Sequence, residues 1–178
     1  MEIDTDRLQD QIKEEHERAG EGWIRFVGLS AALFAVIAAV SALRSGNLIN
    51  EALIAQIKAS DTWNEYQASR QKEHLYTVAA DGIVDNGSHN VARLRAYRSQ
   101  VAKETAKETP LASKARALEK DSTAEVERHH AFEYAVALLQ VGIALGAVAA
   151  LARSKPAWYV SLAAGVVGVF FFARGLIP

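Results

Sequence analysis

The densest grouping of side chains able to do chemistry is Glu125, His129, His130 and Glu133. In a helix, Glu125, His129 and Glu133 fall four residues apart on one face, and imidazole and carboxylate are ligands for divalent metals. Ligands from one helix need more from elsewhere, and Glu73 with His74 would supply them only if the chain folds back suitably. A charged patch just outside a membrane accounts for the same residues with fewer assumptions. The favoured expectation is therefore no catalytic, cofactor-binding or metal site. Neither an HExxH pattern nor a cysteine-based zinc spacing is present, and the chain has no cysteine at all. Glycine-rich phosphate loops, Gly-x-Ser-x-Gly elbows and nucleophile-base arrangements are also missing, which favours a non-enzymatic protein.

Other residues have a structural reading beside the chemical one. Trp63, Tyr66 and Tyr76 would make an aromatic recognition surface, but packing between helices or subunits is favoured. Asp61 reads as a solvated carboxylate, and Arg93, Arg95 and Arg98 as a solvated basic face rather than a headgroup or acidic-partner site. Gln140 and the Gly142-Ile143-Ala144-Leu145-Gly146 run imply close helix contact, the glycines by removing bulk and the amide by seeking a hydrogen bond.

The elements that would carry these residues follow from how charge and grease separate along the chain. Of 178 residues, 50% are hydrophobic and 23% charged, averages typical of a soluble domain. The apolar residues, however, gather in residues 26–43, 134–151 and 157–173, with nearly all charge outside them. A run of 18 uncharged residues such as 26–43 covers roughly 27 Å as a helix, close to the ~30 Å of a hydrocarbon core. Trp23 and Arg25 precede the first run, and Trp158 and Tyr159 open the third, where amphipathic rings sit at headgroup level. None of the runs holds a charge at mid-depth, which weakens an ion pathway. Residues 1–21 are acidic and polar, unlike a cleavable signal, so the first run is expected to remain as an anchor. A net charge of -1 gives no reason to expect nucleic acid.

Between the first two runs the chain is polar and helix-forming. Residues 6–19 read as a short solvated helix broken at Gly20 and Gly22. Ala31, Ala35, Ala38, Ala39 and Ala42 give the first span a smooth stripe for close packing. Ser45-Gly46-Asn47 permits a kink, after which a helix resumes to about residue 80. Residues 81–90 collect turn formers, with Asn90 a good N-cap for the next helix. Thr109 and Pro110 read as the N-cap and first position of a further helix, which runs without a breaker into the second apolar run. The middle then forms an antiparallel helical stalk, and the basic turn Arg153-Ser154-Lys155-Pro156 joins the last two spans as a hairpin.

At Asp61-Thr62-Trp63-Asn64-Glu65-Tyr66-Gln67-Ala68, followed by Lys72 and Leu75-Tyr76, the chain resembles the domain-of-unknown-function 4337 family of small bacterial membrane proteins. Where that family's pattern carries Lys-Ser after the alanine, Ser69-Arg70 stand here. The resemblance implies one span, a polar helical middle and two closely spaced C-terminal spans, and it brings no activity with it.

The expected architecture is an all-α membrane protein with three transmembrane helices and a long antiparallel, coiled-coil-like stalk between the first and second. Its parts are a polar N-terminal helix (1–22), the first span (23–44), the stalk (45–131) and the second and third spans (132–152 and 157–175). The expected function is a non-enzymatic, homo-oligomeric scaffold or assembly platform whose other partner is the lipid bilayer. An oligomeric pore or small transporter, and a metal-dependent membrane enzyme around His129 and Glu133, are the alternatives. Arg153 and Lys155, with Arg7, Lys13, Arg18 and Arg25, favour a cytoplasmic N-terminus and a periplasmic stalk in a bacterial inner membrane. Arg44, Lys120, Arg128 and Arg174 oppose that orientation.

Overall fold

A computed structural model describes the backbone of residues 5–85 and 90–177, and the side chains of residues 22–84 and 90–177. Three helices account for it: α1 (Thr5–Asp85), α2 (Val91–Leu151) and α3 (Lys155–Leu176), with no strand among the described residues. Each contains a stretch long and apolar enough to cross a membrane.

Four expected interruptions do not occur. Helix α1 runs unbroken through Gly20, Gly22 and the Ser45-Gly46-Asn47 segment, and continues past Asp81-Gly82 to Asp85. A glycine costs a formed helix only about 1 kcal/mol relative to alanine, whereas a break would require a second, unfavourable nucleation. Likewise Pro110 does not begin a helix but lies inside α2. Its missing N–H leaves the i−4 carbonyl, that of Ala106, without its helical donor, a defect worth about 3 kcal/mol in an isolated helix. The packing of α2 on both sides of it outweighs that defect. The expected turn at 86–89 lies outside the described residues, but the Asn90 cap is present: Arg93 N–H donates to Asn90 Oδ1 at 3.0 Å.

The turn between α2 and α3 closes by chain geometry. Arg153 adopts the left-handed region (φ 49°), and Ser154 N–H reaches back five residues to the Ala149 carbonyl at 2.9 Å, the pattern that ends many helices. Pro156 then stands at the start of α3, where its ring fits the first turn.

The chain divides into two compact units, Met1–Leu48 with Glu127–Pro178, and Ile49–Val126. The first unit contains residues 22–48 of α1, residues 127–151 of α2 and all of α3. Its interior is built from glycines that receive large side chains. A Cβ on Gly165 would overlap the Phe34 ring, one on Gly168 would sit 2.8 Å from Leu139 Cγ, and one on Gly175 would sit 2.9 Å from the Phe132 ring. Gly142 lies under both Phe34 and the α3 backbone, where an added Cβ would come within 3.2 Å of the Ser161 carbonyl. Phe34, Ala38 and Leu139 form the buried cluster, flanked by Ile37, Ile143 and Leu162. Ser161 Oγ donates across the α2–α3 contact to the Gly142 carbonyl at 2.6 Å. The expected glycine contact on α2 is therefore present, with α3 supplying the glycines that face it.

Within the first unit the alanine stripe of α1 is only partly used. Ala38 is buried, but Ala35, Ala39 and Ala42 are exposed. The inward face is instead Val27, Phe34, Ala38, Ser41, Ser45 and Leu48. Large knobs on α1 fit glycine holes on its neighbours, which leaves Ala35, Ala39 and Ala42 on the outward face.

The second unit is a helical hairpin of residues 49–85 and 91–126. Early residues pair with late ones: Ser122 Oγ donates to the Ala52 carbonyl at 2.9 Å, Ser69 Oγ to Glu104 Oε2 at 2.7 Å, and the Tyr76 and Tyr97 rings lie 6.0 Å apart. The inward positions recur every seven residues, as at Ala52, Ala59, Tyr66, Glu73 and Ala80 on one side and Leu94, Val101, Glu108, Ala115 and Ser122 on the other. The fully buried members are small, so the two backbones approach closely. Among the described residues no buried side-chain nitrogen or oxygen lacks a partner.

Candidate functional site

The first unit places His129, His130 and Glu133 together at the end where α1 contributes Ser45. Residues four and three apart on α2 bring both imidazoles to one carboxylate. His129 Nε2 lies 3.3 Å from Glu133 Oε1, and His130 Nδ1 lies 3.1 Å from Glu133 Oε2. His129 is largely buried, its side chain 13% exposed, whereas His130 and Glu133 are more than half exposed. An open groove of about 410 Å³ runs alongside, lined by Ala42, Ser45, Gly46, His129, Glu133 and Gln140 among others.

What sequence reasoning missed is Ser45, read there only as part of a break. Its carbonyl lies 3.0 Å from His129 Nδ1 and its Oγ 2.8 Å. The carbonyl can only accept but the hydroxyl can donate or accept, so these contacts fit either tautomer of His129; in the Nδ1–H tautomer the ring donates to Ser45 and Nε2 faces Glu133. The available signal was the seven-residue spacing of the small residues Ser45, Ala52 and Ala59.

Of the other candidates, Glu73 and His74 lie on α1 in the second unit, as does Glu125 on α2. Gln140 is exposed on the groove wall. Arg128, next to His129, directs Nε to the Gly175 carbonyl at 3.3 Å, near the end of α3.

The aromatic residues pack within the hairpin. Trp63 and Tyr66 are half-buried in the hairpin seam, edge to face with centroids 5.4 Å apart, and Trp63 Nε1 donates to Glu119 Oε1 at 2.8 Å. Asp61 is exposed, as expected. Arg93, Arg95 and Arg98 are exposed too, Arg93 Nε donating to the Tyr97 hydroxyl at 3.2 Å. A second feature unseen in the sequence is buried Glu104, which accepts from Ser69 and from Lys107 Nζ at 2.8 and 2.9 Å. The hydrogen bond from Lys107, then that from Ser69, holds its carboxyl below the usual value, against the opposing effect of desolvation. On the exposed side Arg70 pairs with Glu108 at 3.6 Å.

At the opposite end of the first unit Trp23 and Trp158 lie 6.0 Å apart, and Trp158 stacks on Tyr159. Arg25, Arg153 and Lys155 mark that same end in the chain.

Fold and side chains together define an all-helical protein with three helices able to cross a membrane, glycine-seated packing in one unit and a hydrogen-bonded helical hairpin in the other. Residues 23–178 match the family model "Domain of unknown function (DUF4337)", and the chain belongs to that family. No curated protein and no solved structure matches it.

Proposed function

We propose that this chain is a multi-pass integral membrane protein of a bacterial inner membrane that self-associates as a non-enzymatic scaffold or assembly platform. The observation that carries the membrane reading is an inverted distribution of size in the first unit. Its interior is glycine, alanine and serine with a few large knobs, while Leu29, Leu33, Val36, Leu43, Val166 and Phe170 are exposed. Only 17% to 28% of the residues in the three apolar windows are buried. Water would make such a surface aggregate, whereas hydrocarbon is its natural solvent.

Self-association is supported by surface the single chain leaves uncovered. Ala35, Ala39 and Ala42 form an exposed small-residue stripe, which lets a second helix approach closely in lipid. In the hairpin Leu53, Ile54, Ile57, Leu75 and Val78 are exposed although the surroundings are polar. The seven-residue spacing of the buried positions supports an antiparallel coiled-coil-like stalk between the first and second spans. Cross-linking and light scattering on detergent-extracted protein test the reading: defined oligomers are expected, and a strict monomer at every concentration rejects self-association.

The orientation follows from the basic residues Arg25, Arg153 and Lys155 at the tryptophan end. They favour a cytoplasmic N-terminus and α2–α3 turn, with the stalk periplasmic. Cysteine labelling of intact cells reads it directly, because the native chain has no thiol. An impermeant maleimide should label Ser99→Cys and spare Ser154→Cys, and the reverse pattern inverts the topology.

A further inference from the structure

The geometry points to a zinc-class divalent metal site formed by His129, His130 and Glu133, oriented by the Ser45 carbonyl. In the tautomer that donates Nδ1–H to the Ser45 carbonyl, His129 turns its Nε2 lone pair toward a carboxylate oxygen 3.3 Å away. A divalent ion placed between those two lone pairs would be held by both. The spacing suits a metal. Zinc bonds of about 2.0–2.1 Å in a tetrahedron put neighbouring ligand atoms about 3.3–3.4 Å apart. His129 Nε2 lies 3.3 Å from Glu133 Oε1 and His130 Nδ1 lies 3.1 Å from Oε2, and one ligand atom from each residue lies within 4.8 Å of the others, so the exposed His130 and Glu133 side chains need only a small rotation to close on one ion.

The Ser45 contact also suits an outer-shell role. Imidazoles that bind metal commonly donate their other N–H to a backbone carbonyl or carboxylate, which fixes the tautomer and the ring plane. Here that partner comes from another helix, so the burial of His129 and the unbroken course of α1 through Ser45 both serve to aim Nε2. Three protein ligands leave a tetrahedral ion one position open, and the groove beside His129 and Glu133 gives water or a small anion access to it. The neighbouring Arg128 directs its Nε to the Gly175 carbonyl at 3.3 Å. The site does not depend on self-association.

Zinc titration of tag-free, chelator-treated, full-length protein in detergent, in competition with a fluorescent zinc chelator, tests the site. One zinc ion per chain is expected near neutral pH. His130→Ala and Glu133→Gln each should weaken binding by roughly 10-fold or more, as loss of a ligand exceeds the ~10–100-fold effect of losing an outer-shell partner. Both residues are exposed, so these variants keep the fold, and unchanged melting and helicity verify that. His74→Ala, in the other unit, should bind as the native chain does. Binding should weaken on acidification as protons take the imidazole lone pairs. Absence of saturable one-to-one binding near neutral pH, or binding unaltered in both His130→Ala and Glu133→Gln, overturns the site.

Discussion

Replacing Gly165 by alanine adds one methyl group at the point where Phe34 of α1 rests on α3. The new Cβ would overlap three carbons of the Phe34 ring, and the obstacle is a rigid ring edge instead of a flexible chain end. Phe34 is buried and also lies 3.4 Å from the position a Cβ would take on Gly142, so the ring has little room to retreat and α3 must shift. Overpacking of this kind costs about 1–3 kcal/mol. Against it stands the better helix propensity of alanine, about 1 kcal/mol. Gly28→Ala isolates that second contribution, because a Cβ at Gly28 meets nothing within 4 Å. The difference between the two variants is then the overpacking cost itself, about 1–3 kcal/mol, or several degrees in melting temperature at the ~2–4 °C per kcal/mol typical of this chain length. Trp23 and Trp158, in contact within the same unit, provide the fluorescence signal for melting in detergent. Combining Gly165→Ala with Phe34→Leu should cost less than the sum of the two single changes, since the smaller knob vacates the space. Equal melting of Gly165→Ala and Gly28→Ala, or strict additivity in the double variant, would refute knob-and-glycine packing.

Pro110→Ala restores a helical N–H in the middle of α2 and should raise stability by about 1–3 kcal/mol; if Pro110 stood at the start of a separate helix, the change would be neutral or slightly harmful in the same melting assay. Glu104 has a carboxyl held below its ordinary value, so its contribution is complete above the unfolded-state pKa and decays as pH falls through the lower folded one. The melting difference between native protein and Glu104→Gln should therefore stay constant near neutrality and shrink only below about pH 4.3. A difference already lost between about pH 7 and 5 would contradict the Lys107 and Ser69 hydrogen bonds as its source.

Charge-free runs of 18 residues or so are legible in any chain, because burying ionised groups in hydrocarbon is too costly for composition to conceal. The three apolar helices, the all-helical class and the Asn90 cap follow from local chemistry of that kind. The inward face of the hairpin was only partly legible: Ala52, Trp63 and Tyr66 turn inward, but the apolar Leu53, Ile57 and Val78 are exposed, because small residues, not large ones, occupy the close approach. The signature around Trp63 and Tyr66 was legible as packing.

Continuity was a different matter. Gly20, Gly22, Gly46 and Pro110 each carry a local penalty of about 1–3 kcal/mol, which reads as a break in isolation. A second nucleation costs more than each glycine, and the packing of α2 on both sides of Pro110 outweighs its defect, so continuity is decided by the whole helix instead of the single residue. Nor does periodicity name a partner. Which knob meets Gly165, which hydroxyl reaches Glu104 and which carbonyl aims His129 depend on residues 131, 35 and 84 positions away. Such pairings are set by the docking of helices against one another, and no spacing along one helix contains them.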